Sequence, residues 1–299
     1  MKMKRNYLIL LIGLLTFNQS VHAQHFDLIV GGSSSHFLGD LGGKPFLGTN
    51  DLQDLDILST RYALTAGMRF NMGKVFALRT NLWYARLSAD DKYTRNRERH
   101  GRNLSFFTQI LEADAVLEMN IYKTADKKKI FYVFGGVGYF TFNPKTKLNG
   151  NVYTLRDYGT EGQYSIPGKS PYDLHSVCFP MGFGTKFIIN KRSYFTLEVN
   201  SRKTRTDYID DVSTRFVDPN LLIAAKGPTS AALADRSISD IPGFSSPGAI
   251  RGDSKDNDNF FFFSFAYNYT LGVGPGNGGY SHKGRPRNRI NGKMKCFEF

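Results

Sequence analysis

The chain has 299 residues, with 39 Lys and Arg against 26 Asp and Glu, for a formal net charge of +13. Aromatic residues make up 14% of it, yet the mean hydropathy is only −0.34. This length allows one large or two small domains; its two cysteines, Cys178 and Cys296, exclude a disulfide framework, and no CxxC or HExxH spacing offers a metal centre.

The first element is a leader. Lys2, Lys4 and Arg5 precede an apolar run from Tyr7 to Phe17, and Val21-His22-Ala23 supplies small residues ahead of a cleavage point at Gln24. The run is too short to span a membrane comfortably as a helix. No cysteine follows the cut to carry a lipid. Residues 1–23 therefore read as a secretory signal, and the mature chain as an exported one.

Eight strands are predicted after it, each with apolar residues at every second position. They lie over Phe26–Ser34, Arg61–Met72, Val75–Ser88, Leu104–Ile121, Ile130–Phe142, Ser176–Ile189, Tyr194–Asp207 and Asn259–Leu271. In the second, Tyr62, Leu64, Ala66, Met68, Phe70 and Met72 share one face. In the eighth, Phe261, Phe263, Phe265, Tyr267 and Tyr269 do the same. Pro180 inside the sixth strand cannot donate to a ladder and predicts a bulge.

The connections alternate. Short turns fall near Gly73, over Ala125–Lys129 and over Asn190–Ser193. Long ones fall over Phe37–Thr60, Ala89–Asn103, Asn143–His175 and Tyr208–Asp258. Long strands, dyad alternation and one-sided loops are the marks of a membrane barrel. A soluble β-sandwich would bury the apolar face instead, and gives the loop asymmetry no purpose. The predicted fold is all-β: an eight-stranded antiparallel transmembrane β-barrel over 24–271, with a flexible C-terminal tail over 272–299. An even strand number with short periplasmic turns puts both termini in the periplasm and the barrel in an outer membrane.

Eight strands enclose room for side chains and little else. The second face of the strands carries Arg69, Arg79, Lys186 and Arg202 together with Glu112, Asp114, Glu118 and Glu198. Inside a barrel these must pair, because an uncompensated buried charge is costly. The lumen is then a polar core rather than a pore, and function moves to loops, turns and tail. The tail is basic (Lys283, Arg285, Arg287, Arg289, Lys293, Lys295), lacks the makings of a core and would order only on a partner.

Acids and histidines near the loop rim are Asp90, Asp91, His100, His175, Asp207, Asp210 and Asp211. No spacing among them fixes a nucleophile and its base. Asp210 and Asp211 have Arg205, Arg215 and the basic run Lys92–Arg102 as available partners. No enzyme and no cofactor is expected. Lipopolysaccharide or an acidic periplasmic partner suits the positive charge better than nucleic acid, which an exported chain rarely meets. No small-molecule substrate is expected.

Six stretches carry a further resemblance. They are Leu38-Gly39-Asp40-Leu41-Gly42-Gly43; Arg102-Asn103-Leu104-Ser105-Phe106; Phe134-Gly135-Gly136-Val137-Gly138 with Phe142-Asn143-Pro144-Lys145; Gly159-Thr160-Glu161-Gly162-Gln163; Pro180-Met181-Gly182-Phe183-Gly184; and Arg202-Lys203-Thr204-Arg205-Thr206-Asp207-Tyr208-Ile209-Asp210-Asp211-Val212-Ser213. In this order the chain resembles the PorG-like outer-membrane proteins of the type IX secretion system. The resemblance implies a small barrel with no catalytic residue. It also implies association with the periplasmic ring of a secretion lipoprotein and its partner protein, and a part in secretion or gliding. The stretch Asp218–Ser254 is longer than the family pattern. The other reading open to the sequence is a stand-alone barrel, an adhesin or lipid-binding protein working through its extracellular loops.

Overall fold

Strand pairing runs from neighbour to neighbour until it meets itself. In the computed structural model, which describes residues 25–41, 59–94 and 96–271, the strands are β1 (His25–Leu38), β2 (Arg61–Met72), β3 (Phe76–Asp90), β4 (Ser105–Lys123), β5 (Lys129–Thr141), β6 (Lys145–Leu148), β7 (Asn151–Thr154), β8 (His175–Ile188), β9 (Ser193–Thr204) and β10 (Asn259–Leu271). The order is β3-β2-β1-β10-β9-β8-β5-β4, and an antiparallel β3–β4 pairing closes the ring. β6 and β7 form a small hairpin outside it, tied to β4 through Phe107 and Lys145. The expected signal 1–23, the tail 272–299 with Cys296, and Gly42 and Gly43 lie outside the described residues.

The faces sort as a barrel in lipid requires. Outward-pointing Leu82, Phe183 and Val137 are 62%, 60% and 56% exposed, while inward-pointing Arg69, Glu112, Glu118 and Arg202 are fully buried. A sandwich would have reversed this. With no water to bond backbone groups in lipid, only a closed ladder satisfies them. On β3 the outward residues Phe76, Leu78, Leu82 and Tyr84 give way to Arg86, which lies 4.7 Å over the Phe107 ring. That marks the upper limit of the apolar band. At the opposite end Tyr122, Tyr267 and Tyr269 are outward and exposed, as interfacial aromatics are. Among the described residues no helix is long and apolar enough to cross a membrane.

Several expectations need correction. β1 runs on past Ser34 to Leu38, keeping its pairing with β10 as far as Asn259. β9 stops at Thr204, before Asp207. There Thr204 Oγ1 accepts from the Thr206 amide at 3.3 Å and donates to the Asp258 carbonyl at 2.5 Å, turning the chain inward. Pro180 makes no bulge: the β8–β9 register is unbroken through it. The register shift lies instead in β4, between Asn120 and Tyr122. Phe261, expected outward in lipid, is fully buried and stacks on His36 at 4.8 Å.

The long connections are not plain loops. Asn149 and Gly150 both have positive φ, 50° and 83°, the signature of a two-residue hairpin turn. The last connection holds helices over Pro219–Lys226 and Pro228–Ala234, the first capped by Asp218, which accepts from the Asn220 amide at 2.9 Å.

Candidate functional site

The bore is filled in tiers. Nearest the short turns, Glu118 accepts from Arg69 Nε and Nη2 at 2.9 Å each, lies 3.1 Å from Arg79 Nε and accepts from Lys186 Nζ at 2.9 Å. Glu198 takes Arg79 and the Tyr132 hydroxyl. Arg69 also reaches Asn268 at 2.7 Å and Tyr194, whose hydroxyl donates to Asp27. One tier up, Arg202 Nε lies 3.1 Å from Glu112 and its guanidinium is 4.1 Å from the Phe262 ring centre and 4.6 Å from that of Trp83. Asp114 accepts from Asn81 at 2.6 Å and Trp83 at 2.9 Å. All eight ion-pair candidates thus point into one space; Asp27 joins them unforeseen.

Glycine makes this packing possible at particular places. A Cβ on Gly182 would stand 2.8 Å from the Phe134 ring, and one on Gly184 2.8 Å from that of Tyr132. Cys178 is buried as well. Beyond Trp83 the interior turns apolar, with Leu87, Ile110, Phe140, Phe142, Phe260 and Phe262 pointing inward. In Phe260-Phe261-Phe262 the alternation has vanished and all three rings are fully buried, so both faces are covered here, while Phe263 is exposed again.

A lid lies over this apolar tier, and most of the sequence motifs meet in it. Asp91 binds Arg102 at 2.8 Å, and Arg102 donates on to the Asp40 carbonyl at 2.6 Å. Asp210 accepts from the Leu41 amide at 3.1 Å and the Val212 amide at 2.9 Å. Glu161 accepts from the Ser213 amide at 2.9 Å and the Thr214 hydroxyl at 2.7 Å. Arg251 bridges Glu161 at 2.9 Å and the Asp211 carbonyl at 2.7 Å. Asp211 itself has φ 69°, a left-handed conformation that Asp tolerates better than most side chains, and accepts from Thr160 and Tyr172. Tyr172 and Tyr208 stack at 4.5 Å. Lys203 points outward instead and is exposed.

The rim acids therefore do not make one constellation. His100 and His175 are exposed. Asp90 pairs with Lys92 at 2.8 Å and Asp91 is committed to Arg102. Arg205 and Arg215, the nearest bases in sequence to Asp210 and Asp211, are exposed and turned elsewhere, to Phe179 and to the Gly248 carbonyl. Arg251 is the partner sequence distance concealed, with Arg102 supplying charge to Asp210. Burial pushes Asp211 up to about 6, against the pull of Arg251. Burial, with the charge of Asp40 next, holds Asp210 well above the usual carboxylate range. Among the described residues no group of acids, histidines and cysteines is arranged to hold a metal ion.

A closed sheet with an apolar outer band, a bore packed with ion pairs and a covered mouth defines an integral outer-membrane β-barrel without an open channel. The chain belongs to the family described as a domain of unknown function, DUF6089, whose pattern matches residues 4–219. No curated protein matches it. Solved barrels resemble it in fold alone. Ail, the attachment invasion locus protein of Yersinia pestis, is 8% identical over 84% of this chain and 100% of its own, with a TM-score of 0.37. Neisserial surface protein A is 7% identical over 82% and 96%, with 0.37. OprG of Pseudomonas aeruginosa is 10% identical over 82% and 97%, with 0.35.

Proposed function

We propose that this barrel is a structural outer-membrane component of a type IX secretion or gliding machinery, anchoring the periplasmic ring to the membrane. The observation that carries the reading is the charge of the turn end. Lys74, Lys127, Lys128, Lys129, Lys191 and Arg192 are exposed there, with Asp126 the one acid among the three turns. β1 begins and β10 ends at the same end, so the basic tail leaves from it. In this reading that end and both termini face the periplasm. The bases receive an acidic face of the ring lipoprotein or its partner, and lipopolysaccharide surrounds the other end. The resemblance to PorG-like proteins supplies the identity of the ring. Asp90 and Asp91, committed to Lys92 and Arg102, support a non-enzymatic role.

The test is Lys128→Glu with Lys191→Glu, alone and combined with removal of residues after Leu271. Heat-dependent gel mobility, the sign of a folded barrel, should be kept, while co-purification of ring components from detergent extracts should fall. Unchanged co-purification rejects the anchor.

A second reading, a surface adhesin, is favoured by exposed apolar side chains at the loop end, among them Ile250 at 72% and Ile238 at 61%. Ile238→Ser with Ile250→Ser should then lower surface binding and leave ring co-purification alone.

A further inference from the structure

Among the described residues, the lid contains more buried acid than buried base. Asp40 follows β1, Asp207 and Asp210 follow β9, and Asp258 precedes β10, so three separate segments deliver four aspartates to one place, where Asp40 is half-buried and the other three are buried. Asp258 is fully buried. Its Oδ2 accepts from the Ile209 amide at 2.8 Å, but its Oδ1 has no hydrogen-bond partner. That oxygen faces Gly39 so closely that a Cβ there would stand 2.1 Å from it. Asp207 is 9% exposed and neither carboxyl oxygen has a partner in hydrogen-bond geometry, although Ser213 stands near enough to ease it. Asp40 Oδ2 accepts from the Asp253 amide at 2.7 Å. The charged groups around them are Arg99 and Arg102 from the helix Arg97–Arg102, Glu161 from the 159–163 turn, Asp211 beside Asp210, and Arg251 and Asp253 from the segment before β10. Arg251 is committed to Glu161 and Asp211, and among the described residues Arg102, itself paired with Asp91, is the base that acts on both Asp40 and Asp210.

An ionised carboxylate that is buried without donors is not tolerated; it takes up a proton instead. We propose that Asp40, Asp207, Asp210 and Asp258 form a proton-operated latch, which holds the lid on the barrel mouth while the cluster keeps protons and releases it when all four ionise. The protons come from bulk water and return to it. What opens is a cup and not a channel, because the Arg202–Glu112 tier below is part of the barrel wall packing. The direction follows from linkage. Burial, then repulsion from Asp40, Glu161 and Asp253, pushes Asp207 up to about 8, and burial with the neighbouring aspartates raises Asp258 well above the usual range. A group raised in the folded state lends stability that is full below its unfolded value, 3.8 for Asp, and is lost as pH rises through the folded one. The lid is therefore tightest in acid, and the share of its hold that Asp207 carries is lost as pH rises to about 8.

The test uses the full chain in detergent micelles or nanodiscs. Hydrogen exchange of the lid amides Leu41, Ile209 and Val212 is followed from pH 6 to pH 9.5, corrected for the intrinsic pH dependence of exchange. Lid protection should fall by up to about tenfold per pH unit for each proton released, while strand amides of β2 and β3 stay protected. Asp207→Asn with Asp258→Asn mimics the protonated pair and should flatten the profile. A flat profile in the natural chain overturns the latch. So does a double variant that tracks the natural chain, and so does opening by EDTA at pH 6, which would assign the closure to a bound cation.

Discussion

The bore and the lid of this protein are both dense with buried charge, yet they balance it differently. In the bore, Glu118 alone gathers Arg69, Arg79 and Lys186, and every base lies within reach of an acid, in several cases one held on a strand across the bore. The sheet fixes these positions before the side chains meet. In the lid, the acids come from connections, and Arg102, already paired with Asp91, reaches Asp40 and Asp210 but is not among the groups acting on Asp207 and Asp258. The lesson is that a closed ladder can impose a matched ion-pair core. A lid made of returning loops keeps an imbalance that protons must relieve.

That contrast can be broken from either side. The largest effect is expected from Glu118→Ala, which leaves the buried Lys186 without its acid and takes an acid from both Arg69 and Arg79. It should cost about 3–5 kcal/mol and appear as lost heat-dependent gel mobility or a lower urea midpoint for the whole barrel. Arg251→Ala comes next. It leaves Glu161 and Asp211 without their base and should cost about 3 kcal/mol locally. Proteolysis within 205–258 should become rapid while the barrel still migrates as folded. If Arg251→Ala unfolds the barrel as well, lid and bore are one unit and the contrast fails.

Smaller changes sharpen it. A Cβ on Gly252 would stand 2.4 Å from Asp40 Oδ2 and 2.8 Å from the Ser213 amide nitrogen. Gly252→Ala should therefore cost about 1–3 kcal/mol of lid stability through crowding, seen in the same proteolysis assay. The least effect is expected from Asp218→Ala, which removes the cap of the helix Pro219–Lys226. It should cost about 1 kcal/mol, detectable as faster exchange at Asn220 and Leu221 only.

How far the sequence could be read differs between these regions for a physical reason. Strand β2 was legible to the residue, because a face in lipid forces strict alternation and any slip would expose charge; β10 was legible in its bounds but not at Phe261, which stacks on His36. The bore acids and bases were legible as a set for the same reason. Asp27 was overlooked because only the outward residues of strand one were read. The β6–β7 hairpin was within reach, since Asn149-Gly150 is a strong turn signal flanked by strand-forming residues. The end of β9 was harder to see: Arg202 to Asp207 continues as a plausible strand until Thr204 finds Asp258, far along the chain. The partners of Asp210 and Asp211 could not be found by proximity in sequence. Arg251 is not near them until the lid folds.

What the chain's pattern determined alone was the barrel: the number of strands in the ring, which face meets lipid and which residues fill the bore. Each of those follows from a period of two repeated along a strand, and a period is local. What tertiary structure decided was the lid. Asp40, Glu161, Asp210, Arg251 and Asp258 come from segments far apart in sequence. Whether such acids end up matched, or in surplus and holding protons, depends on distances that exist only once the loops have closed over the mouth.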